Sequence, residues 1–242
     1  MSVPQVPVSD RGFRFGLGVF ETVVVRNGKA ELRHWHEESW IEASRALGLA
    51  DPDLEKVKSP PGHGGIWRWF QSDAGTTTWW NEGIAPVAES MELEESPIRI
   101  GSAAWSSRFK TLAYLSNLQA KPPSASAEVV LLNERGEIAS AAMANLFWVV
   151  DGVLETPLWE CGCRKGVVRR WILEESGKVV REVAKGLERL SEADEIFLTN
   201  SRLRIVPVTC WRGKKVGDGP GPVTRELQKM LEIGLDSAGK NV

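Results

Sequence analysis

Two dipeptides constrain this chain more than any other feature. Asn27-Gly28 follows the run VFETVVV, and Asp151-Gly152 separates ANLFWVV from VLETP. A two-residue loop of this type needs positive φ at both central residues. Asparagine, aspartate and glycine accept that backbone, and it matches the twist of the flanking strands. β-Branched and aromatic residues fill the flanks, so each stretch reads as an antiparallel hairpin, with AELRHW as the returning strand of the first. IWRWF and TTTWW flank a turn at Asp73, Ala74 and Gly75 and form a third hairpin. PIRIGSAAW, AEVVLLN, KVVREVA, EIFLT and RIVPVTCW read as further strands. The acidic ESMELEESP reads as a solvated edge or loop, and residues 1–9 as an extended lead-in. HEESWIEASRALGL, VVRRWILEES and VTRELQKMLEIGL carry apolar residues at helical spacing, the first two closed by Gly48 and Gly177. Strands and helices are interspersed along the chain.

A chain of 242 residues fits one large domain or two small ones. The border is placed near residue 105, giving an N-terminal α/β domain over 1–105 and a C-terminal one over 106–242. A net charge of −2 offers no basic excess for nucleic acid. No apolar run approaches the roughly 18 residues of a membrane span. No basic region followed by an apolar core opens the chain, so no secretory signal is expected. Cys161, Cys163 and Cys210 do not form a disulfide framework, which favours a reducing, cytoplasmic setting. Cys161 with Cys163, and His34 with His36, have spacings a metal can use. Neither pair has further ligands beside it, His63 stands alone, and no metal site is expected. The 11 tryptophans are spread along the chain and read mostly as core or interface residues.

The candidate chemistry lies in residues 108–121, RFKTLAYLSNLQAK. Lys110 is read at a junction of extended chain and helix, with Tyr114, the chain's single tyrosine, one helical turn on. A lysine that condenses with a carbonyl needs a partly desolvated site that leaves its amine unprotonated near neutral pH. A phenol nearby can hydrogen-bond the oxygen of a bound aldehyde cofactor. Read alone, a lysine so placed is more often a solvated residue opening an ordinary helix. Gly166, followed by VVRRWILEE, leaves free backbone amides at a helix start, where an anion can sit.

The order of DRGFRFGLGVFETVVV, HWHEESWIEASRALGL, RFKTLAYLSNLQAK, LLNERGEIASAAMANLFWV, GVLETP, RKGVVRRWIL, ADEIFLTNSRLRIVPV and GDGPGPVTRELQ resembles the fold-type IV, or class IV, pyridoxal-phosphate enzymes. That family includes branched-chain and D-amino acid aminotransferases and aminodeoxychorismate lyase. The resemblance implies two α/β domains with the cofactor, pyridoxal 5'-phosphate, in a cleft between them, and a homodimer. Carried over residue by residue, Lys110 matches the lysine that forms the internal aldimine, and Tyr114 the tyrosine at the cofactor's phenolic oxygen. Gly166, Val167 and Val168 match the amides that hold the phosphate, and Ser201 a hydroxyl that also reaches it. Asn145 matches a structural asparagine of the N-[LIV]-F strand. Ser140 occupies the position of the usual acid at the pyridine nitrogen. Ser39 stands for the arginine of an H-x-x-R helix start, and Val168 for a threonine. Arg164 and Lys165 replace the preceding leucine and proline. The phosphate site therefore lacks one charge and one hydroxyl, which either basic residue could restore.

Two functions fit this reading. One is an active aminotransferase or aminodeoxychorismate lyase acting on an amino acid with a 2-oxo acid, or on aminodeoxychorismate. The other is a catalytically impaired homologue serving as a binding or scaffold protein. Arg14, Arg68, Arg202 and Arg204 are candidates for a substrate carboxylate, since arginine suits bidentate binding.

Overall fold

Both hairpin dipeptides take the left-handed backbone their residue types permit: φ is 52° and 74° at Asn27 and Gly28, and 51° and 74° at Asp151 and Gly152. The computed structural model describes residues 5–237. The first four residues of the expected lead-in lie outside the described residues.

The chain forms two compact units, Met1–Ala85 with Phe109–Tyr114, and Pro86–Arg108 with Leu115–Val242. This differs from the border read at 105, and it moves Lys110 from the second unit to the first. Strand pairing explains the change. Residues 91–100 join the sheet of the second unit, and Thr111 bridges back to Val19 in the first.

The first unit contains α1 (Arg11–Phe15), β1 (Val19–Arg26), β2 (Lys29–Ala30), α2 (Arg33–Ala46), β3 (Gly65–Ser72) and β4 (Gly75–Glu82). Its sheet runs β2-β1-β3-β4, antiparallel throughout. The returning strand read as AELRHW is only two residues long. Leu32, at φ 49°, turns the chain into α2 instead. One sheet face buries Val19, Val23, Val25, Trp67 and Trp69 against Trp40 and Ala43 of α2 and Leu47 just after it. Trp40, Trp67 and Trp69 are fully buried. At roughly 150–250 Å² each and about 25 cal/mol/Å², each contributes on the order of 4–6 kcal/mol before side-chain entropy.

The second unit opens with β5 (Met91–Ile100), α3 (Trp105–Arg108), α4 (Leu115–Ala120), β6 (Ala127–Asn133), β7 (Ile138–Ala141), β8 (Asn145–Val150) and β9 (Val153–Pro157). It continues through α5 (Val167–Glu174), β10 (Val180–Val183), α6 (Glu188–Ser191), β11 (Glu195–Asn200), β12 (Arg204–Trp211), β13 (Lys214–Lys215) and α7 (Pro222–Ser237). The sheet order is β10-β9-β8-β11-β12-β5-β6-β7, with β13 on β12. The acidic stretch read as a solvated edge is part of β5, an inner strand with parallel neighbours on both sides. Met91 and Leu93 are buried while Glu92 and Glu94 are exposed, so alternation carries these two charges outward; the pattern breaks after Glu94, where the pairing with β6 shifts register. The larger core lies on one sheet face, where Leu93, Val130, Ile138, Leu146, Trp148, Ile196, Leu198 and Val208 meet. Phe147 and Phe197 stack on the other face, 5.1 Å apart, on the side where α5 contacts β11. Among the described residues no helix is long and apolar enough to cross a membrane.

Candidate active site

Lys110 lies in extended chain between α3 and α4, so the helix expected to begin at the lysine starts five residues later. Sheet-like bonding fixes the segment. The Phe20 amide donates to the Lys110 carbonyl at 2.8 Å, and the Leu112 amide donates to the Gly18 carbonyl at 2.8 Å. Gly16 and Gly18 permit this approach. Gly16 has φ +72°, and a Cβ there would lie 2.9 Å from the Ala113 Cα. At Gly18 a Cβ would lie 2.5 Å from Leu112 Cδ1.

The Lys110 side chain is 25% exposed, and its Nζ stands 3.5 Å from Glu21 Oε2. The same oxygen lies 2.7 Å from His36 Nδ1. Glu21 and His36 are 3% and 1% exposed, so a carboxylate sits inside a tryptophan-rich core. Burial pushes the Glu21 carboxyl up. The Lys110 charge and the His36 hydrogen bond outweigh it and hold the group below the usual carboxylate range. An ionised carboxylate only accepts, so His36 donates from Nδ1. Phe20 completes the group, with Lys110 Nζ 5.8 Å from its ring centroid. Tyr114 meets Phe20 edge-on at 5.3 Å. Lys110 and Tyr114 thus share an aromatic neighbour, although no helical turn joins them.

Sequence reasoning missed Glu21 and His36. The signal for Glu21 was present: it is the one charge in VFETVVV, in inward register with Val19 and Val23. His36 carried a weaker signal, four residues before the core residue Trp40 on the same helix. His34 and His63 are exposed. Among the described residues no group of three or more His, Cys, Asp or Glu is placed to hold a metal.

The second unit carries the remaining candidates. Gly166 caps α5 at φ −63° and ψ 146° with no side-chain cap, so its first amides have no partner from a capping side chain. Asn145 braces this turn. Its Nδ2 donates to the Arg164 carbonyl at 2.8 Å, and a Cβ on Gly166 would lie 2.2 Å from its Oδ1. Thr199 is the cross-strand partner of Asn145 and shares its sheet face. The Thr199 hydroxyl is buried without a hydrogen-bond partner among the described residues. Two residues on, Ser201 sits partly buried in the turn after β11. Asn200 shapes that turn by accepting from the Arg202 and Leu203 amides at 2.9 and 2.7 Å. Ser140 lies on β7, where its hydroxyl donates to the Ala144 carbonyl at 2.8 Å. It borders a cavity of about 110 Å³ together with Ser116, Asn117 and Arg164, and no carboxylate lines that cavity.

Residues 75–211, more than half of the chain, match the family model for amino-transferase class IV. The chain belongs to the class IV aminotransferase family. It is similar to an aminodeoxychorismate lyase of Bacillus subtilis (strain 168), at 29% identity over 92% of this chain and 87% of the relative. A D-alanine aminotransferase of Bacillus licheniformis is 25% identical over 94% and 90%. The crystal structure of 4-amino-4-deoxychorismate lyase from Pseudomonas aeruginosa shares the fold, with TM-score 0.84, 23% identity and 97% of each chain covered. Class IV aminotransferases are enzymes, and the structure places each of the three residues read from the sequence as departures from the class pattern. Val168 is 2% exposed and spends its side chain on the core. Ser39 is partly buried on α2. Ser140 has its proton committed to a backbone carbonyl. Of the residues read as replacements, Lys165 is exposed and lies 4.8 Å over the Trp159 ring, while Arg164 borders the cavity beside Ser140. Of the candidate carboxylate binders, Arg14 lies over Phe15 and Arg68 over Trp79, at 4.7 and 5.0 Å.

Proposed function

We propose that this class IV enzyme uses pyridoxal phosphate, bound through Lys110, to cleave aminodeoxychorismate to 4-aminobenzoate and pyruvate. The observation that carries the reading is the Lys110 amine, three-quarters shielded and held at a buried carboxylate. The residues fit a phosphate-bearing aldehyde. The first unit offers a shielded primary amine, and the second, taken by itself, offers a helix start without a side-chain cap and a buried Thr199 hydroxyl with no partner among the described residues. When bound, the cofactor supplies an electron sink for charge left at the substrate's Cα.

The chain's own residues do the rest. Lys110 would hold the cofactor, and its amine would move a proton at the substrate's Cα as base and then acid. Tyr114 would meet the cofactor's phenolic oxygen. The amides of Gly166, Val167 and Val168, with the Ser201 hydroxyl, would hold the phosphate. Ser140 in the place of a carboxylate would supply no charge to the ring, so the sink would be weaker. That would favour the lyase over amino transfer, because cleavage to 4-aminobenzoate gains aromatic stabilisation and needs less help from the ring. The relationship to the Bacillus subtilis lyase supports the same choice. The reading extends to a cytoplasmic location and to a homodimer, the latter tested by light scattering on the purified protein.

The deciding experiment adds pyridoxal phosphate, reduces with borohydride and maps the adduct by mass spectrometry. It then assays pyruvate release from aminodeoxychorismate beside a panel of amino donors. An adduct at Lys110 with pyruvate release supports the proposal. An adduct elsewhere sinks the role of Lys110, and amino transfer without pyruvate release sinks the lyase assignment. No adduct at saturating cofactor returns the chain to a non-catalytic binding role.

A further inference from the structure

Glu21 is an expensive residue to bury. Its strand partner on β3 is Trp69, and Trp40 of α2 joins the same core. A lone carboxylate there would take up a proton, since desolvation disfavours the charged form. Two groups keep it ionised, and they come from the two other elements packed on it. His36 of α2 donates at 2.7 Å, and Lys110 of the 109–114 segment lies at 3.5 Å, both on Oε2. The third neighbour, Trp69 of β3, brings no charge. Glu21 and His36 are almost wholly buried, while Lys110 alone reaches solvent. The lysine is therefore the one member of the group that a solute can meet.

We propose that Glu21, fixed in place by buried His36, positions Lys110 and holds its amine as an ammonium until it is called on as a nucleophile. The proton lost at that point leaves to solvent on the lysine's exposed side, and Glu21 keeps its charge throughout. Glu21 acts through Lys110 and is a positioning residue. The inference deepens the role given to Lys110 above but does not depend on the cofactor.

The test uses the full chain free of cofactor. Trace acetic anhydride is applied across pH 6–11, and acylation of each lysine is read by mass spectrometry. In Glu21→Gln the midpoint for Lys110 should fall by about one pH unit, making its amine about tenfold more reactive near neutral pH. Glu21→Asp should restore part of the shift, and exposed Lys215 should not move. Coincident Lys110 midpoints in wild type and Glu21→Gln would overturn the proposal. If Glu21→Gln does not fold, the wild-type protein decides. The ¹³C resonance of the Glu21 carboxyl should keep its ionised position through the Lys110 midpoint, and a shift to the protonated position there overturns it. Failure of pyridoxal phosphate to bind would leave these results untouched.

Discussion

Replacing Gly166 with alanine probes the helix start that is assigned to the phosphate. The new Cβ would lie 2.2 Å from Asn145 Oδ1, a separation real Cβ atoms do not show, so Asn145 must give way. Asn145 is 5% exposed and cannot swing into water without disturbing its surroundings. Overpacking of this kind costs about 1–3 kcal/mol. Displacing Nδ2 from the Arg164 carbonyl removes a buried bond worth about 1 kcal/mol net, more if the carbonyl stays unpaired. Gly166 sits at φ −63°, a backbone alanine accepts, so alanine gains back about 0.4–1 kcal/mol from the unfolded chain. The sum is a loss of about 1–4 kcal/mol, read as a shift of the urea midpoint by tryptophan fluorescence. Asn145→Ala removes the obstacle. In that background Gly166→Ala should cost less than about 1 kcal/mol, so the double-mutant cycle should show about 2 kcal/mol of coupling. Additive costs would refute the reasoning, because they would mean that the clash with Asn145 is not what excludes a side chain.

Three further outcomes are expected. Glu134 accepts from the Ser102 amide and hydroxyl at 2.8 and 2.6 Å, which together with Arg135 brings its carboxyl down to about 2. Its contribution to stability is complete above the ordinary value of 4.5 and is lost as pH falls toward about 2, so Glu134→Gln should flatten acid unfolding across that window; identical pH profiles would rule this out. Ser140→Glu has a cavity beside it and should raise amino-transfer turnover by restoring charge at the ring nitrogen. A variant that binds cofactor normally yet turns over no faster with any accepted amino donor would show that Ser140 does not face that nitrogen. Burial and the Glu137 carboxylate push the Cys161 thiol up to about 11, and full burial pushes Cys163 up. Iodoacetamide at pH 8 should therefore modify the partly exposed Cys210 first, with only about one Cys161 thiol in a thousand ionised. Mass spectrometry showing Cys161 labelled first would contradict that account.

Much of the secondary structure could be read from the chain because the signals are short-range. The three hairpins fall where turn residues interrupt β-branched and aromatic runs, and α2, α5 and α7 where apolar residues recur at helical spacing. The misreadings share a cause. β5 looks like a solvated loop because its charges are numerous, yet it is an inner strand that buries Met91, Leu93 and Ser96 and leaves Glu92 and Glu94 exposed. The segment after Phe109 has helical composition, but pairing with β1 holds it extended before α4 begins.

Local pattern, then, determined the element types, the hairpins, the glycine at the start of α5 and the lysine to watch, because turn preference and periodicity act within a few residues. Only the tertiary structure decided which unit carries Lys110 and what its amine meets. Glu21 and Lys110 are 89 residues apart, and that separation is bridged by the pairing of β1 with residues 109–112. The value of a buried charge depends on what surrounds it, and a periodicity cannot name a partner that far along the chain.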